Sequence, residues 1–141
     1  MSLFFNSKIE NNSIIFTILK PSPNRKEWDD AKQNILEWYQ YLENNNLRAG
    51  LIFDLEELVY VNPTYLLEWK QLFIDNREKT KRYIIASLII IENQIVRQVI
   101  NLFFKAYDPI RPTKIVKDIE EAKNFINENF MNENFMNENF N

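Results

Sequence analysis

Asn62-Pro63-Thr64 places a hydroxyl beside an expected helix start, and accepting a phosphate is the chemistry that arrangement suits best. Asparagine is a favoured N-cap, and proline fits the first helical position because its missing N–H would have no helical partner. Thr64 then lies in the first turn, where unpaired backbone N–H groups and the helix dipole favour negative charge. A phosphate on it would add about −1.5 to −2 charge to the surface. The competing reading is an ordinary helix-start threonine. Asn62-Pro63-Thr64 also resembles a glycosylation acceptor, but the proline disqualifies it.

Other chemistry is poorly supplied. The 141 residues include no histidine, no cysteine and one glycine, Gly50. Serine and threonine nucleophiles therefore lack an imidazole partner, thiol and disulfide chemistry is absent, and a Gly-rich phosphate loop cannot form. The carboxylate pairs Asp29-Asp30, Glu56-Glu57 and Glu120-Glu121 are neighbours in sequence; adjacent residues on a helix diverge, so these read as solvated. No calcium-loop spacing occurs. The expectation is a non-catalytic domain with no metal and no cofactor.

Charge is uneven although the net value is only −3. From Lys70 to Lys117 there are ten basic and four acidic residues. Such a segment suits an acidic partner or an anionic lipid surface. Alternatively, Lys79, Lys81 and Arg82 only complement a helix C-terminus. Without an exposed aromatic platform or a recognition helix, no nucleic-acid partner is expected. The first residues lack the features of a signal peptide. The apolar run from Ile84 to Ile91 is far too short to span a membrane, and a cytoplasmic protein is expected.

The elements that would position the junction follow from periodicity. Leu3–Glu10 and Ser13–Leu19 read as strands joined by a hairpin turn at Asn11-Asn12. A helix over about 24–44 carries Trp28, Ala31, Ile35, Trp38 and Leu42 on one face. Leu51–Asp54 is a compact central strand ending at Asp54. A second helix runs from Pro63 to about Glu78, with Tyr65, Leu66, Trp69, Leu72 and Phe73 inward. Tyr83–Ile91 is the most apolar strand, Gln94–Tyr107 a third helix, Thr113–Lys117 an edge strand, and Asp118 caps a fourth helix. Strands alternating with helices imply an α/β fold: a mostly parallel sheet with an N-terminal β-hairpin and about four helices.

Two segments exceed what this fold needs. The third helix places Val96, Val99, Ile100, Phe103 and Tyr107 on one stripe, with Ile95, Leu102 and Phe104 outside it. Either later elements cover the second side, or Leu102 and Phe104 form an association surface for a partner or a second copy in a homodimer. The end of the chain repeats Asn-Glu-Asn-Phe-Met from Asn127. A spacing of five residues rotates successive phenylalanines by about 140° around a helix, so they share no face. The expectation is one domain over 1–126 and a disordered or frayed helical tail over 127–141; a helical extension that docks on a partner is the rival.

The order of elements and the segment Asp54-Leu55-Glu56-Glu57-Leu58-Val59-Tyr60-Val61-Asn62-Pro63-Thr64-Tyr65-Leu66 resemble STAS-like domains, which include bacterial anti-sigma factor antagonists. Asp54, Leu55, Tyr60, Val61 and Leu66 fit the family pattern at this junction. Asn62 stands for its aspartate, Thr64 for the serine that is phosphorylated in the antagonists, and Pro63 and Tyr65 for a serine and a glycine. The resemblance covers about residues 8–126. It implies a STAS-like fold and a non-catalytic module that meets a regulatory protein partner, with Asp54, Asn62, Thr64 and Tyr65 at the contact and Thr64 as the phosphorylation site. Related folds bind lipids or nucleotides, and peripheral contact with an anionic membrane is the alternative reading.

Overall fold

In this computed structural model the described residues are 4–105 and 111–140, with the side chains of 103–105 and 132–140 outside the description. The chain opens with strands β1 (Phe5–Glu10) and β2 (Ser13–Ile18), paired antiparallel from Phe5↔Ile18 to Glu10↔Ser13. Asn11 takes the positive φ, 55°, that the hairpin turn requires. Helix α1 (Arg25–Asn45) starts at Asn24, whose side chain accepts from the Glu27 N–H while Glu27 reaches back to the Asn24 N–H. This reciprocal cap satisfies two donors that a helix start otherwise leaves open. Asn46, in the left-handed region, ends it.

Strand β3 (Ala49–Asp54) lies parallel to β2 and to β4 (Ile84–Ile90), and β4 lies parallel to β5 (Thr113–Val116). The five strands stand in sequence order across the sheet. Right-handed crossovers in one direction put the connecting helices on one face. That face buries Phe16, Leu51, Phe53 and Ile89 against Trp28, Ile35, Tyr39 and Leu42 of α1 and against Val96 and Ile100 of α4 (Gln94–Lys105). The expected α1 stripe is thus rotated slightly: Tyr39 is buried, while Ala31 and Trp38 are half-buried.

Between β3 and β4 the expected single helix is two. Helix α2 (Pro63–Asp75) ends at Asn76, and α3 (Arg77–Tyr83) follows. Asn76 leaves helical geometry at φ −108°, ψ 28°, and its side chain donates to the Leu72 carbonyl. Local bonding of this kind competes with the helix ladder. The structure therefore has five helices among the described residues rather than about four. Lys81 and Arg82 occupy the last turn of α3, and Tyr83, expected in the strand, closes that helix. Buried Thr80 bonds the Tyr39 hydroxyl at 2.8 Å, tying α3 to α1.

Among the described residues, the opposite face carries α5 (Ile119–Phe140) alone. Asp118 caps it by accepting from the Glu121 N–H. Ala122 and Ile126 pack on Ile15, Ile52, Ile85, Leu88 and Ile90. Gly50 is what lets the helix approach. A Cβ there would lie 2.3 Å from Ile126 Cδ1, so the glycine serves close contact and not an unusual φ. Phe125 and Phe130 join this layer, which carries packing past position 126. The backbone of α5 continues through the repeat to Phe140. On β4 the register shifts between Ala49↔Ile84 and Leu51↔Ser87, an extra residue that leaves Ile85 and Ala86 both toward α5 and turns Ser87 toward α2.

Candidate functional site

Asp54 ends β3, and its carboxylate accepts the Glu56 N–H at 3.2 Å, turning the chain out of the sheet. The loop is then pinned at three of its N–H groups. Leu55 N–H donates to the Ile90 carbonyl, and Val59 and Tyr60 N–H both donate to the Pro21 carbonyl at 2.8 and 3.1 Å. Leu55, Leu58 and Val61 turn inward and are buried. Val59 and Tyr60 consequently turn outward, exposed by 56% and 58%, and Leu67 on the next helix is exposed by 54%. These three apolar side chains bracket Asn62, Pro63 and Thr64, all exposed.

Asn62 caps α2 through its side-chain oxygen, which accepts the Thr64 N–H at 2.9 Å. Its carbonyl accepts the N–H of Tyr65 and of Leu66. This corrects the expectation of unpaired N–H groups beside Thr64. Pro63 has none to offer, and the next three are engaged by Asn62. What remains for a negative charge on the exposed Thr64 hydroxyl is the dipole of α2.

Tyr65 is only half-exposed, because α1 holds it. Its ring stacks on Trp28 at 5.8 Å and lies under the Arg25 guanidinium at 4.4 Å, and its carbonyl accepts the Trp28 indole N–H at 2.8 Å. Beside it, Arg25 grips Glu68 with two bonds of 2.7 and 2.9 Å, and Lys32 adds a third at 2.6 Å. These partners hold the Glu68 carboxyl well below its usual range, at about 2. The junction therefore sits on a braced pair of helices.

One feature escaped the sequence. Asp54 pushes the Glu56 carboxyl upward, with burial, Glu92, Glu57 and Asp118 adding to the shift. These acids follow the ends of β3 and β4 or precede α5, and parallel pairing brings them to one margin of the sheet. Only the Glu56-Glu57 neighbourhood was visible in the chain order. No group of three or more acidic residues among the described residues is arranged to hold a metal ion.

The remaining candidates lie apart from the junction, on α4. Val96 and Ile100 are buried, whereas Ile95 and Leu102, one heptad apart, are 72% and 66% exposed. Leu102 is thus on a free face; the Phe104 side chain and Tyr107 lie outside the described residues. No helix among the described residues is long and apolar enough to cross a membrane.

No family pattern and no curated protein matches the chain by sequence. By structure it is similar to an uncharacterized protein of the DUF3478 family from Shewanella loihica PV-4, solved by crystallography and described as having a SpoIIAA-like fold. The likeness has a TM-score of 0.59 at 10% identity and covers 86% of this chain and 91% of that one. A five-stranded, mostly parallel sheet with an N-terminal hairpin, three connecting helical segments on one face and a closing helix on the other gives this chain a SpoIIAA-like α/β fold.

Proposed function

We propose that the protein is a non-catalytic regulatory interaction domain that reads a protein partner through the junction of β3 and α2. The observation that carries this reading is the exposure of Val59, Tyr60 and Leu67 around Asn62 and Thr64 on a loop whose backbone is held by hydrogen bonds. Exposed apolar side chains on a pinned loop lose little conformational freedom on binding. Glu56 and Glu57 give the patch an acidic flank. Asp54 and Tyr65 shape the site from behind, as the turn-former and the brace. Phosphorylation of Thr64 is the switch in this reading, since it would set a double negative charge within the apolar patch. The test is affinity capture from the native cell, then binding of the captured partner by Thr64→Glu and Thr64→Ala. The glutamate should weaken binding by about 1–3 kcal/mol, the scale of charge-assisted contacts, while alanine retains it. Equal binding by both variants, with no phosphate on Thr64 in native protein, removes the switch; unchanged binding by Tyr60→Glu removes the site.

A second reading rests on Ile95 and Leu102 of α4. Their shared exposed face suits homodimerisation or insertion at an anionic membrane surface with help from the basic segment. Leu102→Glu, at a position with little core contact, should abolish flotation with anionic vesicles, or self-association, without changing the melting temperature. A parent chain that is monomeric and fails to float refutes this reading.

A further inference from the structure

The sheet ends in an open edge at β1. Beyond it no strand follows among the described residues. The Leu19 N–H donates to the Phe4 carbonyl, so by alternation Asn6, Lys8 and Glu10 also turn their backbone groups to β2. Phe5, Ser7 and Ile9 therefore point their N–H and C=O groups outward. Such an edge is a template for another strand unless it is guarded. The guards are weak here. β1 holds no proline, and its pairing with β2 is regular from end to end. Lys8, its only lysine, turns to the α5 face with Ile15 and is held by Glu10 at 3.1 Å.

The margin beside this edge is apolar and aromatic. On the α1 face, Ile9 is exposed and Phe5 is half-buried. Trp38 of α1 reaches over the strand and donates its indole N–H to the Ser7 hydroxyl at 2.9 Å. Ser7 in turn donates to Asn34 at 2.7 Å. Tyr41, also exposed, packs edge-on against Trp38 at 5.4 Å. Aromatic side chains already held in place lose little freedom on contact and are common anchors of an interface.

We propose that β1 pairs antiparallel with β1 of a second copy of this chain, about a two-fold axis that passes by Ser7 perpendicular to the sheet. The edge selects a copy of itself because its bonding groups and side chains both close about that axis. In this register Ser7 faces Ser7, and Phe5 faces Ile9 of the second copy. Each of the three outward residues then donates once and accepts once, giving about six backbone bonds across the seam. Phe5 and Ile9 pair on the α1 face, where Trp38 and Tyr41 of both copies gather above Ser7. On the other face Lys8 stands opposite Asn6. Centring the pair on Lys8 would set like charges directly opposite, and centring it on Asn6 would leave Ile9 without a strand partner. The two β3–α2 junctions then face opposite ends of the joined sheet. The pairing uses neither α4 nor the junction, so it stands independently of both readings above.

Sedimentation equilibrium of the full chain over a range of concentrations reads the association, and a reversible dimer is expected. Ile9→Pro removes an outward N–H without touching the ladder to β2, and Tyr41→Glu places a charge beside the seam. Each should weaken dimerisation by at least about tenfold, with circular dichroism showing a folded monomer. Leu102→Glu, on α4, should leave the dimer unchanged. The register is read by cross-linking, since the chain has no cysteine of its own. Asn6 and Lys8 of the second copy form a non-hydrogen-bonded pair with Cα atoms about 4.5 Å apart, within disulfide range. Oxidation of a mixture of Asn6→Cys and Lys8→Cys proteins should give more mixed dimer than random pairing does. A chain that stays monomeric up to about 1 mM overturns the proposal. So does a dimer that Leu102→Glu abolishes and Tyr41→Glu leaves intact, which assigns association to α4. Cross-linking with no preference for the mixed pair overturns the register and with it the choice of a second copy. Should Ile9→Pro unfold the domain, Tyr41→Glu and the cross-link decide between these outcomes.

Discussion

Gly50→Ala tests the packing of the whole molecule with one methyl group. The added carbon would sit 2.3 Å from Ile126 Cδ1, 2.4 Å from Cγ1 and 2.8 Å from Cγ2. Unstrained carbon contacts lie at about 3.5–4.0 Å, so Ile126 must retreat by more than about 1 Å. It cannot swing its tip aside, because both branches clash and its surroundings are fully buried. The helix must lift or the isoleucine must leave its rotamer, at a cost of about 1–3 kcal/mol, and the three short contacts place it at the upper end. The melting temperature should fall by about 10 °C on the usual scale for domains of this size. Ile126→Ala alone should cost about 2–5 kcal/mol through the void it leaves. In the double variant the new methyl occupies part of that void, so the pair should be no less stable than Ile126→Ala, a favourable coupling of about 2–3 kcal/mol. Urea titrations followed by tryptophan fluorescence measure all four corners of this cycle. A Gly50→Ala protein within about 0.5 kcal/mol of the parent, or strictly additive losses, would refute close docking of α5 on β3.

Glu68→Gln should lower stability at neutral pH by about 1 kcal/mol, since much of the Arg25–Glu68–Lys32 cluster is open to solvent screening. Because the folded carboxyl lies at about 2 and its ordinary value is 4.5, the contribution is present above pH 4.5 and lost as pH falls toward 2. Denaturant titrations of parent and variant should converge over that interval, and a difference that stays constant with pH refutes the assignment. Truncation after Phe130 should leave the melting temperature within a few degrees, whereas truncation after Ile126 should lower it, because Phe130 packs on the sheet and Met131 is exposed. Equal stability of the two truncations would show that Phe130 contributes nothing.

The order of strands and helices was legible because local chemistry and apolar period agree. Asn24, Asn62-Pro63 and Asp118 are caps whose side chains bond nearby donors, and each marks its helix to within a residue. The break at Asn76 was hidden, because the apolar spacing on either side continues a helix and only a side-chain bond to Leu72 interrupts it. Long-range features were hidden too. Nothing near Gly50 announces Ile126. At the junction, Thr64 and Asn62 were identifiable from cap chemistry. The outward turn of Val59 and Tyr60 was not, since two apolar residues in a loop ordinarily suggest burial, and it is the Pro21 carbonyl that rotates them outward.

The sheet's two faces are covered at different times in the life of the chain. Each helix up to α4 arrives with the strand beside it, so the first face closes progressively as a nascent chain emerges, N-terminal elements first. The second face has no such schedule. Ile15, Ile52, Ile85, Leu88 and Ile90 all precede α5, the last described element, in the chain, so there is an interval in which they lack its cover. During that interval the protein is a half-sandwich, with an exposed surface suited to a chaperone or to a neighbouring nascent chain. Slow synthesis of the last segment should therefore favour aggregation more than a slowdown anywhere earlier, and a chain released before Ile126 would carry that exposed plane permanently.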